Sequence, residues 1–491
     1  MSSCKGLKRL HEGIVSKTDL STLKELDMSF CEALEEFPPI ETGAFSNLEI
    51  LWIYACKGLK QLGEGFASKG AFPALKVLNM SHCGALEEFA STEEGAFPKL
   101  KQLWMNNCTG LKQLGEGFAS KGAFPALEVL SLSDCIELEN FPLIEGGIFP
   151  RLEKLWMHNC KHLLQLSEGF ASNGAFPALE ELNMSDCVAL EKFPSTYGGS
   201  FPKLRKLGMR NCKSLKELSQ GFASKGMFPA LQVLNMSHCC ALKEFPPIGE
   251  GAFPKLEKLV MSNCKGLKHL GKGFASNGAF PVLKELDVRA CATLEEFPPI
   301  EERAFSQLET LWMHNCTALR RLGEGFVSKG AFPVLKVLNM SNCVALKEFP
   351  AVEEGAFPRL EVLWMHNCKG VKKLGDGFAL KGALPALKVL NMRNCVALEE
   401  FPPTPEGAFP NLKILWMHGC KGLWQVGEGF ASKGDFPAFP ALRELVVEDS
   451  LTEQLSPIEE GVFIRLEYER CPPGVSIYKR VRPLSSSPTR Q

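Results

Sequence analysis

An excess of charge of either sign is missing from this chain. Its 491 residues carry 55 Lys and Arg against 56 Asp and Glu, for a net charge of −1. The basic excess of a nucleic-acid-binding surface is absent, so no nucleic-acid partner is expected. Long apolar runs are missing too. No segment approaches the roughly 20 apolar residues of a membrane-spanning helix, so no membrane partner is expected. The opening Met1-Ser2-Ser3-Cys4-Lys5-Gly6 has none of the apolar stretch a secretory signal needs. The expected compartment is the cytoplasm, with access to the nucleus.

Cysteine, by contrast, is plentiful: there are 19. Cys4, Cys31, Cys56, Cys83, Cys108, Cys135, Cys160, Cys187, Cys212, Cys239, Cys264, Cys291, Cys316, Cys343, Cys368, Cys395 and Cys420 alternate at spacings of 27 and 25 residues. Only Cys240 and Cys471 fall outside the series. A cysteine that recurs once per repeat is a structural position, not a disulfide framework. Parallel Cβ vectors roughly 4.8 Å apart are poorly placed for bridging. No C-x-x-C pair marks a metal site, and no metal or cofactor is expected. The predicted role is a ladder of small apolar fillers, each S–H meeting an otherwise unpaired backbone carbonyl.

Two related units alternate with a superperiod of 52 residues. One runs Phe72-Pro73-Ala74-Leu75-Lys76-Val77-Leu78-Asn79-Met80-Ser81-His82-Cys83 and on to Leu86 and Phe89. The other runs Phe97-Pro98-Lys99-Leu100-Lys101-Gln102-Leu103-Trp104-Met105-Asn106-Asn107-Cys108 and on to Leu111 and Leu114. Both fit L-x-x-L-x-L-x-x-C-x-x-L-x-x-L/F, the leucine-rich-repeat pattern with Cys where many repeats carry Asn. Within L-x-L, alternation turns Leu103 and Met105 inward and Gln102, Trp104 and Asn106 outward. The predicted fold is an α/β solenoid, a leucine-rich-repeat horseshoe of about 19 coils. It has one long parallel β-sheet on the concave side and a mostly irregular or short-helical convex side. The solenoid is assigned to residues 1–471, with degenerate coils at 442–471 and a disordered tail at 472–491. Glu35 is expected over Lys60 and Glu87 over Lys112, an alternation that avoids like-charge stacks.

The recurrent Gly63-Glu64-Gly65-Phe66-Ala67-Ser68-Lys69-Gly70 is not a phosphate loop, because Ser68 replaces the third glycine of G-x-G-x-x-G. It reads as a convex turn with Phe66 packed inward. No catalytic triad is arguable, and the chain is not expected to be an enzyme.

The distinctive surface residues are tryptophans. Trp52, Trp104, Trp156, Trp312, Trp364 and Trp416 occupy the outward position of L-x-M/I. Gly208 and Val260 take that place in two copies and split the row into two groups of three. His158, His314, His366 and His418 stand two residues beyond four of the tryptophans. Two readings remain open. The stripe is a contact surface for a protein partner, since exposed Trp beside polar groups marks interface hot spots. Or it is a by-product of copying one unit.

Leu75, Leu78, Met80, Cys83, Leu86 and Phe89, and again Leu335, Leu338, Met340, Cys343, Leu346, Phe349 and Pro350, carry a closer resemblance. The pattern resembles the repeat region of plant nucleotide-binding leucine-rich-repeat immune receptors, the disease-resistance proteins. That resemblance implies ligand recognition in a defence response and restraint of a nucleotide-binding switch. The chain departs from the family in having no Walker motif. Met1 aligns with Met28, inside a repeat, which implies a fragment with an uncapped first coil able to self-associate. The alternative function is a repeat-expanded fragment with a structural role or none.

Overall fold

The computed structural model describes residues 3–9 and 20–446, apart from 145–147, 168, 196–198, 220, 428 and 431–437. Of the coils expected at 442–471, only the stretch up to Val446 is described. The tail expected at 472–491 lies outside the described residues. Two compact units divide the chain, Met1–Leu256 and Glu257–Gln491.

In the first unit, nine three-residue strands run parallel from Glu25–Asp27 to Val233–Asn235, one per repeat. The second unit has eight, from Lys258–Val260 to Glu444–Val446. Register follows the leucines: Leu51 pairs with Leu78 and Leu78 with Leu103. Each middle leucine is buried, and the residues either side of it face outward. This one-strand-per-repeat parallel ladder, on an L-x-x-L-x-L frame, is leucine-rich-repeat architecture. Among the described residues the ladder has 17 three-residue strands, one per coil, against the about 19 coils expected. The coil of Cys4 has no strand among them, and the coil ending at Cys471 is not described.

Of the two forms expected for the return path, the irregular one is found. The described residues contain no helix, only turns and short two-residue pairs such as Glu296–Phe297 with Arg321–Leu322. Glycine and proline explain this. A Cβ at Gly115 would overlap the Phe89 carbonyl oxygen of the preceding coil, and Gly117 sits at φ +75°. The Gly117 place is glycine in its copies, while Ser167 and Ser219 take the Gly115 place in two copies and bond the carbonyls of Pro142 and Pro194.

The core is built in columns. Phe72, Phe97 and Phe124, from successive Phe-Pro dipeptides, stack nearly parallel, with ring centroids 6.1 and 5.4 Å apart. Phe118 of the glycine-rich turn meets Phe89 edge-on at 5.4 Å, so Phe66 and its copies do pack inward. Aromatic pairs of this kind add about 0.5–1.5 kcal/mol beyond burial alone.

The cysteines form a second column. All 16 from Cys31 to Cys420 in the periodic series are buried, and none is in a disulfide. Cys108 Sγ donates to the Met80 carbonyl of the preceding coil at 3.1 Å, and Cys135 Sγ to that of Met105 at 3.0 Å. The same bond links Cys316 to Val288 and Cys368 to Met340 at 3.1 Å. The thiol thus satisfies a carbonyl just past the strand, where the ladder's own N–H partners have run out.

The residue before each of these cysteines has a positive φ, including Asn107 (55°), Asp134 (62°), Asn159 (60°) and Ala290 (56°). The chain turns there through the left-handed region, which Asn, Asp and His tolerate better than most side chains. Charge alternation also appears as expected. Lys112 meets Glu87 at 2.9 Å and Lys60 meets Glu35 at 3.7 Å.

Candidate functional site

The six tryptophans of the row lie half-buried on the open face of their unit's sheet. They alternate with short polar residues: Trp52 pairs with Asn79 and Asn79 with Trp104, then Trp104 with Ser131 and Ser131 with Trp156. Trp312, Asn339, Trp364, Asn391 and Trp416 follow the same order in the second unit.

The indoles are not free-standing rungs. Strands two apart are separated by roughly 10 Å, yet the ring centroids of Trp104 and Trp156 are 5.8 Å apart, and those of Trp312 and Trp364 6.3 Å. The rings lean toward each other over the intervening residue. Ser131 is left 1% exposed, Asn339 6% and Asn391 3%. Asn79 between Trp52 and Trp104, Asn183 between Trp156 and Gly208, and Asn235 beyond Gly208 remain half-buried. Over Ser131 and Asn339 the paired rings therefore act as a lid.

The asparagines of this row have a backbone task that the sequence pattern did not reveal. Asn79 Oδ1 accepts the Ser81 N–H at 2.9 Å, and Asn339 Oδ1 accepts that of Ser341 at 3.0 Å. Asp287 does the same for Arg289 at 3.1 Å. A short side chain that bonds two residues on ends the strand in an Asx turn. The signal was the recurrence of Asn or Asp in the same unit. At Gly208 the Asn183 Oδ1 lies 2.9 Å from where a Cβ would sit, so the side chain of the neighbouring coil fills that gap in the tryptophan row.

Indole N–H groups find partners along the row. Trp52 donates to Glu25 and Trp156 to Glu181, both at 3.1 Å, while Trp416 donates to Glu444 at 2.9 Å. Trp104 donates to Gln102 at 3.2 Å. The Arg393 guanidinium lies 4.7 Å from the Trp416 ring centre, and Lys154 5.8 Å from that of Trp156.

The histidines fall into different settings. His158 is half-buried, with Asp134 at 3.6 Å. His366 shares a 2.8 Å hydrogen bond with Ser341 through Nδ1. Burial holds both His314 and His366 below the ordinary imidazole value, with smaller contributions from Arg289 and His366 at His314 and from Arg393 at His366. His418 lies beside Trp416 in the same outward row. Among the described residues, no three His, Cys, Asp or Glu side chains come together as a metal site.

Two clefts open between successive glycine-rich turns on the return path. One, of about 350 Å³, is lined by His269–Ser276 with Glu296, Pro298, Pro299 and Glu301. The other, of about 650 Å³, is lined by Leu62–Ser68 with Ala90–Glu93, Glu116 and Gly117. Just beyond these linings the Lys69 N–H bonds Glu93 at 2.8 Å and the Asn277 N–H bonds Glu301 at 3.0 Å. A carboxylate from the next coil thus ties down each glycine-rich turn, which fits the reading of these segments as structural turns.

The fold and this face define a leucine-rich-repeat solenoid with an aromatic stripe. No family model matches the chain, and no curated protein matches it by sequence. Among solved structures it is similar to YopM from Yersinia enterocolitica, at 18% identity over 87% of each chain with a TM-score of 0.30. It is also similar to the functional domain of InlJ from Listeria monocytogenes, which includes a cysteine ladder, at 14% identity over 78% of this chain and 68% of that one with a TM-score of 0.22. The Arabidopsis receptor kinase HAESA, solved with the peptide hormone IDA and the co-receptor SERK1, aligns at 14% identity over 91% and 85% with a TM-score of 0.30.

Proposed function

We propose that the chain is a protein-recognition module working in the cytoplasm, of the kind that senses ligands in plant intracellular immune receptors, and that it binds through the open face of its sheet. It is a binding surface and not a catalyst. The observation that carries this reading is the row of half-buried indoles on a face otherwise made of short strands. Tryptophan in this state offers large apolar area at low entropic cost, with polar neighbours to orient a partner.

The test is affinity capture with the intact chain beside Trp104→Ala, Trp312→Ala and Trp364→Ala, each first shown to keep the circular dichroism of the parent. A partner held by the indole row should lose binding in at least one variant, by roughly tenfold or more. Specific partners retained by all three variants would leave the stripe as a structural lid only.

A further inference from the structure

The near-zero charge of the whole chain conceals a segregation within the first unit. Residues 20–200 carry 24 acidic and 13 basic side chains, a net charge of −11. Residues 201–256 carry 3 acidic and 9 basic ones, a net charge of +6. The sign changes where the indole row is broken. On the strand Lys206–Gly208, glycine takes the place of tryptophan. Lys206 and Arg210 stand two residues to either side of Gly208, and both are exposed. The ion pairs of this coil belong instead to Arg205 and Lys216, with Glu180 and Glu191.

The bordering carboxylates are engaged. Glu181, in register with Lys206, accepts the Trp156 indole N–H at 3.1 Å, and Asp186 accepts the Asn211 amide at 2.7 Å. On the other side Val233, Asn235 and Ser237 bring no charge to the open face.

The floor of the gap is made of donors. Asn183 and Ser185 supply the three atoms nearest the place of a Gly208 Cβ. Asn183 Oδ1 accepts the Ser185 N–H at 3.0 Å, and Asn235 Oδ1 accepts the Ser237 N–H at 3.0 Å and its hydroxyl at 2.7 Å. Both Nδ2 groups and Ser185 Oγ are left without an acceptor among the described residues. An indole fills this space in the tryptophan coils. Here two cations and three polar donors surround it.

Such a set suits a compact anion with several acceptor oxygens. A phosphate monoester carries a charge of about −1.5 to −2 and three such oxygens, and a guanidinium can fork onto two of them. A carboxylate has less charge and fewer oxygens to offer. A long polyanion lying along the stack would meet the acidic coils before residue 201.

We propose that the open face at Gly208 holds a phosphorylated serine or threonine of the partner protein. Lys206 and Arg210 close on the phosphate from either side, and Asn183 and Asn235 bond it from the neighbouring coils. This deepens the protein-recognition reading above and rests on it.

The probe is a short capped alanine peptide with one central phosphoserine, titrated into the full chain at low salt and followed by calorimetry. Peptides with serine or glutamate at the same place serve as references. The phosphoserine peptide should bind about tenfold or more tightly than either. Lys206→Gln and Arg210→Gln should each weaken it about tenfold, and Lys112→Gln should leave it unchanged. Gly208→Trp, which restores the indole of the sister coils and keeps every charge, should abolish binding. Undiminished binding by Gly208→Trp would show that general positive potential, and not the gap, holds the peptide, and would overturn the proposal. Equal binding of the serine peptide, or no binding of the phosphoserine peptide at about millimolar concentration, overturns it using the parent chain alone, so misfolding of a variant does not blur the result. Equal binding of the glutamate peptide overturns the assignment to phosphate. An oligothymidylate that binds more tightly than the phosphopeptide, and is lost with the same substitutions, overturns it in favour of nucleic acid. Captured partners that need the tryptophans but bind equally after phosphatase treatment would overturn it too, while leaving the recognition reading in place.

Discussion

At the residue scale, the position before the cysteine is the most demanding in the repeat. Its left-handed backbone costs an ordinary L-residue about 1–2 kcal/mol, less for Asn or Asp and almost nothing for Gly. Asn159 and Asn211 gain a further bond there, donating to Asp134 at 2.6 Å and Asp186 at 2.7 Å of the neighbouring coil. Ala290 has φ 56° and no side chain able to do this. Ala290→Gly should therefore raise the denaturant midpoint, by the equivalent of about 0.5–1 kcal/mol once the freer unfolded chain is counted. A Gly variant less stable than the parent would show that this turn carries no strain. The recurrence of Asn, Asp and His at this place was legible in the sequence, but the strand and cysteine pattern drew the reading past it.

At the element scale, what the sequence made legible was whatever repeats along the stack. Strand register, inward Leu and Met, the thiol bonded to a carbonyl and the Glu-over-Lys pairs all follow from spacing, because in-register stacking places like position on like position. What could not be read was set by rotamers. Nothing in the spacing says that Trp104 and Trp156 lean together over Ser131, or that Asn339 is sealed beneath Trp312 and Trp364. The thiol column is the element with the clearest response to pH. Burial pushes Cys56, Cys316 and Cys368 up to about 12. A thiol whose folded value is raised contributes stability that is complete below its unfolded value and is lost as pH rises toward the folded one. The window therefore opens near 8.5 and closes near 12. Within it each such thiol removes about 1.4 kcal/mol of stability per pH unit. Thermal midpoints should fall steeply above pH 9, and the combined Cys316→Ser, Cys343→Ser and Cys368→Ser variant should show a shallower fall over the same range. Parallel curves for the two proteins would assign alkaline unfolding to other groups.

At the scale of the whole molecule, alternation matters more than any one coil. In the second unit Glu257, Lys284, Glu309, Lys336, Glu361 and Lys388 take turns along one rim, with pairs at 2.9, 2.7 and 2.8 Å. Glu296 stacks on Arg321, and Glu348 pairs in the ladder with Lys373. The indole and asparagine positions alternate in step with them. Removing residues 309–335 would keep the leucine frame, yet set Lys284 beside Lys336 and Glu296 beside Glu348. Removing 309–360 would set Lys284 beside Glu361, Glu296 beside Lys373 and Asp287 beside Trp364, so every alternation closes again. The shorter protein, with 52 residues gone, should keep the parent's thermal midpoint more closely than the longer one with 27 gone, as scanning calorimetry of the two would show. The molecule is in this sense quantised: it can be lengthened or shortened in whole two-coil steps, and a half step leaves a seam.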